Sequence, residues 1–254
     1  MNKLLLTIAA LFVTGCVSVP RPNTALTHPG PPPYEAWARV LTEFVDAQGR
    51  VDFAAIARHR GDLDRFVSYG YDIGPNNRPE LCPSADHVLA FHINTYNALA
   101  LHQVIEAGIP VSLAGIRKLS FFYFSKVRVG GKTISLYDYE NKVIRALGEP
   151  RIHFALNCMS ISCPRLPREP FLPETLNAQL TRETSLFLGE SRNVKIDQVR
   201  RTLKLSAIFE FYREDFLEKT PSLAVYVNLY RQQKIVEDYP VEFISYDWTV
   251  NRQR

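Results

Sequence analysis

The chain is poor in the residues that most simply announce a chemistry. It has four cysteines, six histidines and two methionines in 254 residues. No glycine-rich phosphate loop and no dinucleotide fingerprint occurs, so nucleotide-dependent classes have no support. Beyond the N-terminus no apolar run reaches the length of a membrane span. The net charge of +4 is too small to mark a nucleic-acid protein. Nothing in the sequence implies a cofactor, and the oligomeric state is left open.

What is present begins with a targeting segment. Lys3 precedes an apolar core from Leu4 to Val13, about ten residues long and too short for a spanning helix. The following T-G-C resembles a bacterial lipobox, with Gly15 before Cys16. The resemblance implies cleavage before Cys16, lipidation of its thiol and acylation, palmitate included, of its amino group. Val17 rather than aspartate follows Cys16, which favours the outer membrane and a periplasm-facing lipoprotein. Residues 17–33 contain six prolines and no apolar period, and read as an extended tether. The expected organisation is a signal peptide at 1–15, a lipidated Cys16 with its tether at 16–33, and one globular domain at 34–254.

Removing Cys16 leaves Cys82, Cys158 and Cys163 facing an oxidising compartment. Three thiols cannot all pair within one monomer, so at least one is free, buried, metal-bound or intermolecular. Two of them lie in His153–Pro164, H-F-A-L-N-C-M-S-I-S-C-P, the most chemically loaded run of the chain. Between Arg117 and Arg168 ten basic residues face three acidic ones, so this run sits in the most basic third. A solvated basic face and an anionic envelope ligand both fit that pattern.

Apolar periodicity predicts a helix from Tyr34 to Val45, a second helical stretch from Val51 to about Tyr69, and a loop over 70–83. Ser84 predicts the cap of a long helix to Ala107, apolar on every face and therefore central and buried. Asn94 and Asn97 share a side of it, either bracing loops or orienting a reactive group. A hairpin is predicted over 121–136 around Gly130-Gly131, followed by a helix to Leu147 opened by Ser135 and Asp138. Residues 151–156 fit a short strand or a helical turn equally. A helix from Pro173 to Leu188, a second hairpin, helices after Ser206 and Ser222, and a terminal alternating strand complete the chain. The fold class expected is α+β, mostly helical, with small antiparallel β elements.

F-H-I-N-T-Y-N-A-L (91–99), L-Y-D-Y-E-N-K-V-I-R (136–145), the 153–164 run and Y-D-W-T-V-N (246–251) together resemble the family called domain of unknown function 547. By that resemblance Asn94, Tyr96, Asn97, Glu140, Arg145, His153, Asn157, Cys158, Cys163 and Pro164 fall on recurring positions. The chain departs from the pattern at His92, Asn141 and Met159, where tryptophan, histidine, and glycine or alanine are expected.

Three chemistries compete. A clasp between Cys158 and Cys163 would make the domain a binding or scaffolding module, with Asn97, Asn157 and Arg145 as ligand-binding candidates. A thiol hydrolase or acyl transferase would use Cys158 as nucleophile. No histidine follows His153, so its base is upstream: His153, His102 or His92, with Glu140 or Asn94 orienting the imidazole. A metal site on His153, Cys158 and Cys163 has looser spacing than usual zinc pairs and no evident fourth ligand.

Overall fold

A computed structural model describes residues 30–253. The predicted cleavage site, Cys16 and most of the predicted tether lie outside the described residues. Helix α1 (Tyr34–Phe44) buries Trp37, Val40, Leu41 and Phe44 on one face. The next predicted helical stretch is two helices, α2 (Phe53–Arg58) and α3 (Gly61–Asp72). Asp52 caps α2 by accepting the Ala55 N–H at 2.9 Å. Because α3 runs to Asp72, the predicted loop begins only at Ile73.

The longest helix, α4 (Ala85–Glu106), starts where Ser84 accepts the His87 N–H. Every residue from Leu89 to Ile105 is buried. A helix with no solvated face is held by packing on all sides rather than by propensity. It forms the axis of the larger apolar cluster, which gathers side chains of α1, α2 and α3 around it. A second cluster forms around Phe154, with Phe187, Phe209, Phe216 and Tyr226.

Helix α5 (Ile116–Leu119) continues into a wide helical turn over Ser120–Phe124. The aromatic run was expected to open a strand. It instead buries Phe121 and Phe122 from a helical turn, and pairing begins later, between β1 (Lys126–Val129) and β2 (Lys132–Ser135). Gly130 and Gly131 both have positive φ, at 53° and 81°, as a two-residue hairpin turn requires. A Cβ on Gly130 would run into the Asn76 side chain. Ser135 then accepts the Asp138 N–H at 3.0 Å and opens α6 (Leu136–Asp138), which widens over Tyr139–Ile144 and tightens over Arg145–Leu147. The undecided stretch after Glu149 is a tight helical turn, Pro150–Phe154.

Helix α7 (Leu176–Gly189) leads into β3 (Val194–Asp197) and β4 (Thr202–Ser206), an antiparallel pair. The helix predicted after Ser206 is two short ones, α8 (Ile208–Phe211) and α9 (Arg213–Leu217), and α10 (Leu223–Tyr230) follows. The terminal strand β5 (Val241–Ile244) pairs with β4 in parallel, so this three-stranded sheet is mixed. The whole is α+β and mostly helical, with two small sheets.

Residues beyond β5 form a strap. Leu113 N–H donates to Trp248 O, Ile161 N–H to Thr249 O, Asn251 N–H to Met159 O, and Val51 N–H to Asn251 O. This one strand of chain therefore ties together segments that are distant in sequence.

Candidate functional site

The run His153–Pro164 is held from behind by the central helix. Asn97 donates to Ala155 O at 3.0 Å and accepts from Asn157 N–H at 2.7 Å. Asn157 donates to Pro164 O at 2.7 Å and accepts from Met159 N–H at 2.7 Å. Both amides are buried and each spends its nitrogen and its oxygen on the loop backbone, so they brace the loop. Met159 is fully buried at φ 65°, a left-handed conformation that costs a side-chain-bearing residue roughly 1–2 kcal/mol. Glycine, one of the two residues expected there from the family resemblance, would carry no such cost.

Cys158 and Cys163 are joined in a disulfide, five residues apart. The Cys158 N–H donates to Cys163 Sγ at 3.0 Å. Hydroxyls surround the bridge: Ser160 Oγ is 3.1 Å and Tyr246 Oη 3.3 Å from Cys158 Sγ, and Tyr246 Oη is 3.2 Å from Cys163 Sγ. Cys82 is buried and forms no disulfide among the described residues, and burial raises its thiol pKa.

The disulfide forms part of the wall of a cavity of about 320 Å³ at the seam of the two apolar clusters. Leu156 and Phe122 come from the first cluster, and Ile208 from the second. Eight of its eighteen lining residues are aromatic, among them Tyr96, Tyr212, Tyr246 and Trp248, so rings are the commonest side chains in the wall. Glu140 lies among them, buried, accepting from Tyr96 Oη at 2.8 Å and from Tyr212 Oη. Burial raises the pKa of both phenols well above the ordinary value, so both remain donors.

His153 stacks on Tyr212 with ring centroids 3.9 Å apart and meets Phe216 edge-on. Its Nε2 lies 2.7 Å from Asp215 Oδ2, and its Nδ1 has no hydrogen-bond partner among the described residues. Asp215 also accepts a two-pronged contact from Arg145, at 2.8 and 2.6 Å. Arg145 Nη1 reaches Asn141 Oδ1 at 2.6 Å, and its guanidinium lies over the Tyr212 ring. Asn141 thus takes up a structural hydrogen bond at the position where a histidine was expected. Burial lowers the His153 pKa, partly offset by Asp215 and Glu140. Burial alone would raise the Asp215 pKa, but hydrogen bonds from Arg145 and His153 more than reverse it, leaving it well below the usual carboxylate range.

The predicted site residues therefore divide. Glu140, Arg145, His153, Cys158 and Cys163 line one cavity. Asn94 does not join them: it accepts from Trp37 Nε1 and Phe171 N–H and donates to Ala90 O and Phe171 O. Neither Glu140 nor Asn94 orients the imidazole; Asp215 does. His92 is bonded to Tyr139 Oη at 2.8 Å and His102 lies 2.8 Å from Arg60; neither lines the cavity. No hydrogen bond joins His153 to Cys158 among the described residues. There, too, no group of three or more His, Cys, Asp or Glu is placed to share a metal ion.

Sequence reasoning missed Lys118, Tyr212 and Asp215. Lys118 Nζ sits 4.3 Å above the Trp248 ring, at the cavity. The alternation in 246–251 gave a strand but not its delivery of Tyr246 and Trp248 to a pocket. Nothing in R-E-D-F-L distinguishes Asp215 from its acidic neighbour, because its partners are 62 and 70 residues away.

Residues 82–188 match the model of a family described as "Protein of unknown function, DUF547". The matched span carries α4, the 136–145 motif and the cysteine loop, and stops before Tyr212, Asp215, Tyr246 and Trp248. No curated protein and no solved structure matches the chain.

Proposed function

We propose that the protein is an envelope lipoprotein whose domain binds a ring-bearing, anionic component of the envelope in the aromatic cavity. The anchor rests on the leader and Cys16, and places the domain on the periplasmic side of the outer membrane. The binding reading rests on one observation: an aromatic-walled cavity in which the thiol pair is tied up and Lys118 has no carboxylate within 4 Å among the described residues. Ring faces stack on flat apolar surfaces, sugar rings included, while a cation above an indole remains available to an anion. Both Glu140 oxygens already accept from phenols, so the ligand's acidic group is assigned to Lys118. A glycan fragment with an acidic group combines both features.

The test is calorimetric titration of the purified protein with soluble acidic glycan fragments of the envelope. Lys118→Ala and Trp248→Ala are each expected to weaken binding about tenfold, the loss of one good cation or stacking contact. Equal affinity in both variants and the parent would remove the reading. Mass spectrometry of the envelope form checks the anchor: an unmodified Cys16 would disprove it.

A second reading has one observation in its favour. His153 has Nε2 fixed by Asp215 and Nδ1 unpartnered, the arrangement of a base awaiting a proton donor. After reduction, Cys158 would be a thiol lining the same cavity as His153. This thiol hydrolase or acyl transferase reading predicts that iodoacetamide modifies Cys158 rapidly below pH 7 once the disulfide is reduced. Alkylation only at the rate of an ordinary thiol, with a pKa near 8.5, would exclude it.

A further inference from the structure

We infer that the outward face of residues 116–124, on the lip of the cavity, seats on an anionic phospholipid bilayer. The segment I-R-K-L-S-F-F-Y-F is one helical turn followed by a wide one. Its inner side is occupied, with Phe121 and Phe122 buried and Lys118 turned over Trp248. Its outer side is not: Ile116 is 85% exposed, Phe124 65% and Leu119 47%. Tyr137, 40% exposed, stacks on Tyr123 and widens the same apolar edge.

Cations border this edge. Arg117 is exposed, and Lys126 follows the turn. Among the described residues neither has a carboxylate within 4 Å, whereas Arg128 and Lys142 nearby are paired with Asp72 and Asp138. Apolar tips flanked by unpaired cations on a shallow helical turn suit the headgroup boundary. Isoleucine, leucine and phenylalanine enter it, and arginine and lysine meet phosphates. A second copy of the same face would oppose like charges, which disfavours self-association as the alternative cover. The inference needs neither the lipid on Cys16 nor a ligand in the cavity.

The experiment follows amide exchange by mass spectrometry in the full chain, with vesicles of phosphatidylglycerol and phosphatidylethanolamine or of phosphatidylcholine alone. Exchange over 116–124 is expected to slow about tenfold on the anionic vesicles only, and the effect to shrink in high salt. Ile116→Ser with Phe124→Ser, and separately Arg117→Glu with Lys126→Glu, should abolish the slowing. Unchanged exchange in α4 will show that these variants are folded. Equal exchange on both vesicles overturns the inference. So does protection without vesicles that rises with protein concentration, which would assign the face to a second copy.

Discussion

Acidification from pH 7 to pH 4 will destabilise the domain by several kcal/mol, with buried histidines as the principal cause. Burial lowers the pKa of His92 to about 4, and lowers those of His102 and His153. In the unfolded chain each titrates near 6.5, so between that value and the folded pKa the unfolded state binds more protons. Stability is then fully present above pH 6.5 and is lost as the pH falls towards the folded values. His92 alone accounts for about 3 kcal/mol over this window. Asp215, whose folded pKa is depressed, adds a further loss only below about pH 4, where unfolded aspartate protonates. Urea midpoints measured from pH 8 to pH 4 should fall steeply below 6.5, and His92→Phe should flatten the profile even if it is less stable at pH 7. A parent profile that is level down to pH 4.5 would refute this origin.

Asp215→Ala is expected to cost about 2–3 kcal/mol, below the full price of breaking a buried pair because the Arg145 and Asp215 side chains remain 24% and 22% exposed. The variant strips Arg145 of its two-pronged partner and leaves both ring nitrogens of His153 without one. The accompanying readout is the His153 titration followed by proton NMR. Asp215→Ala should lower that pKa further, since Asp215 raises it. Arg145→Met should raise it, since Arg145 opposes the protonated imidazole. A His153 titration indifferent to both substitutions would show that the triad does not persist in solution. Thermal unfolding measures the stability term, and a Tm unchanged in Asp215→Ala would count against the ion pair as drawn.

Much of the scaffold was legible because its determinants are local. Ser84, Ser135 and Ser222 each accept an N–H three residues on, a relation visible in sequence order. The apolar girdle of α4 marks a central helix wherever it sits. The aromatic run 121–124 was not legible, since large rings bury equally well from a strand or a helical turn. Nor was the parallel pairing of β5, because alternation names a strand without naming its neighbour. At the site, the His153–Pro164 run identified the loop by its density of reactive types. Its working partners were hidden by distance: Asp215 and Tyr212 arrive from another cluster, and the binding roles given to Asn97 and Asn157 are taken up by the loop's own backbone.

The strap over 246–251 has a consequence for the order in which the protein matures. Synthesis runs from the N-terminus, so α4 and the cysteine loop exist before the chain that supplies Tyr246 and Trp248. Until that chain arrives, the cavity lacks one wall and Ile161 N–H lacks its acceptor, Thr249 O. A chain that ends before residue 246 would therefore leave the cavity open on that side. The cavity is closed last, by a segment whose backbone bonds reach Val51, Leu113 and the cysteine loop.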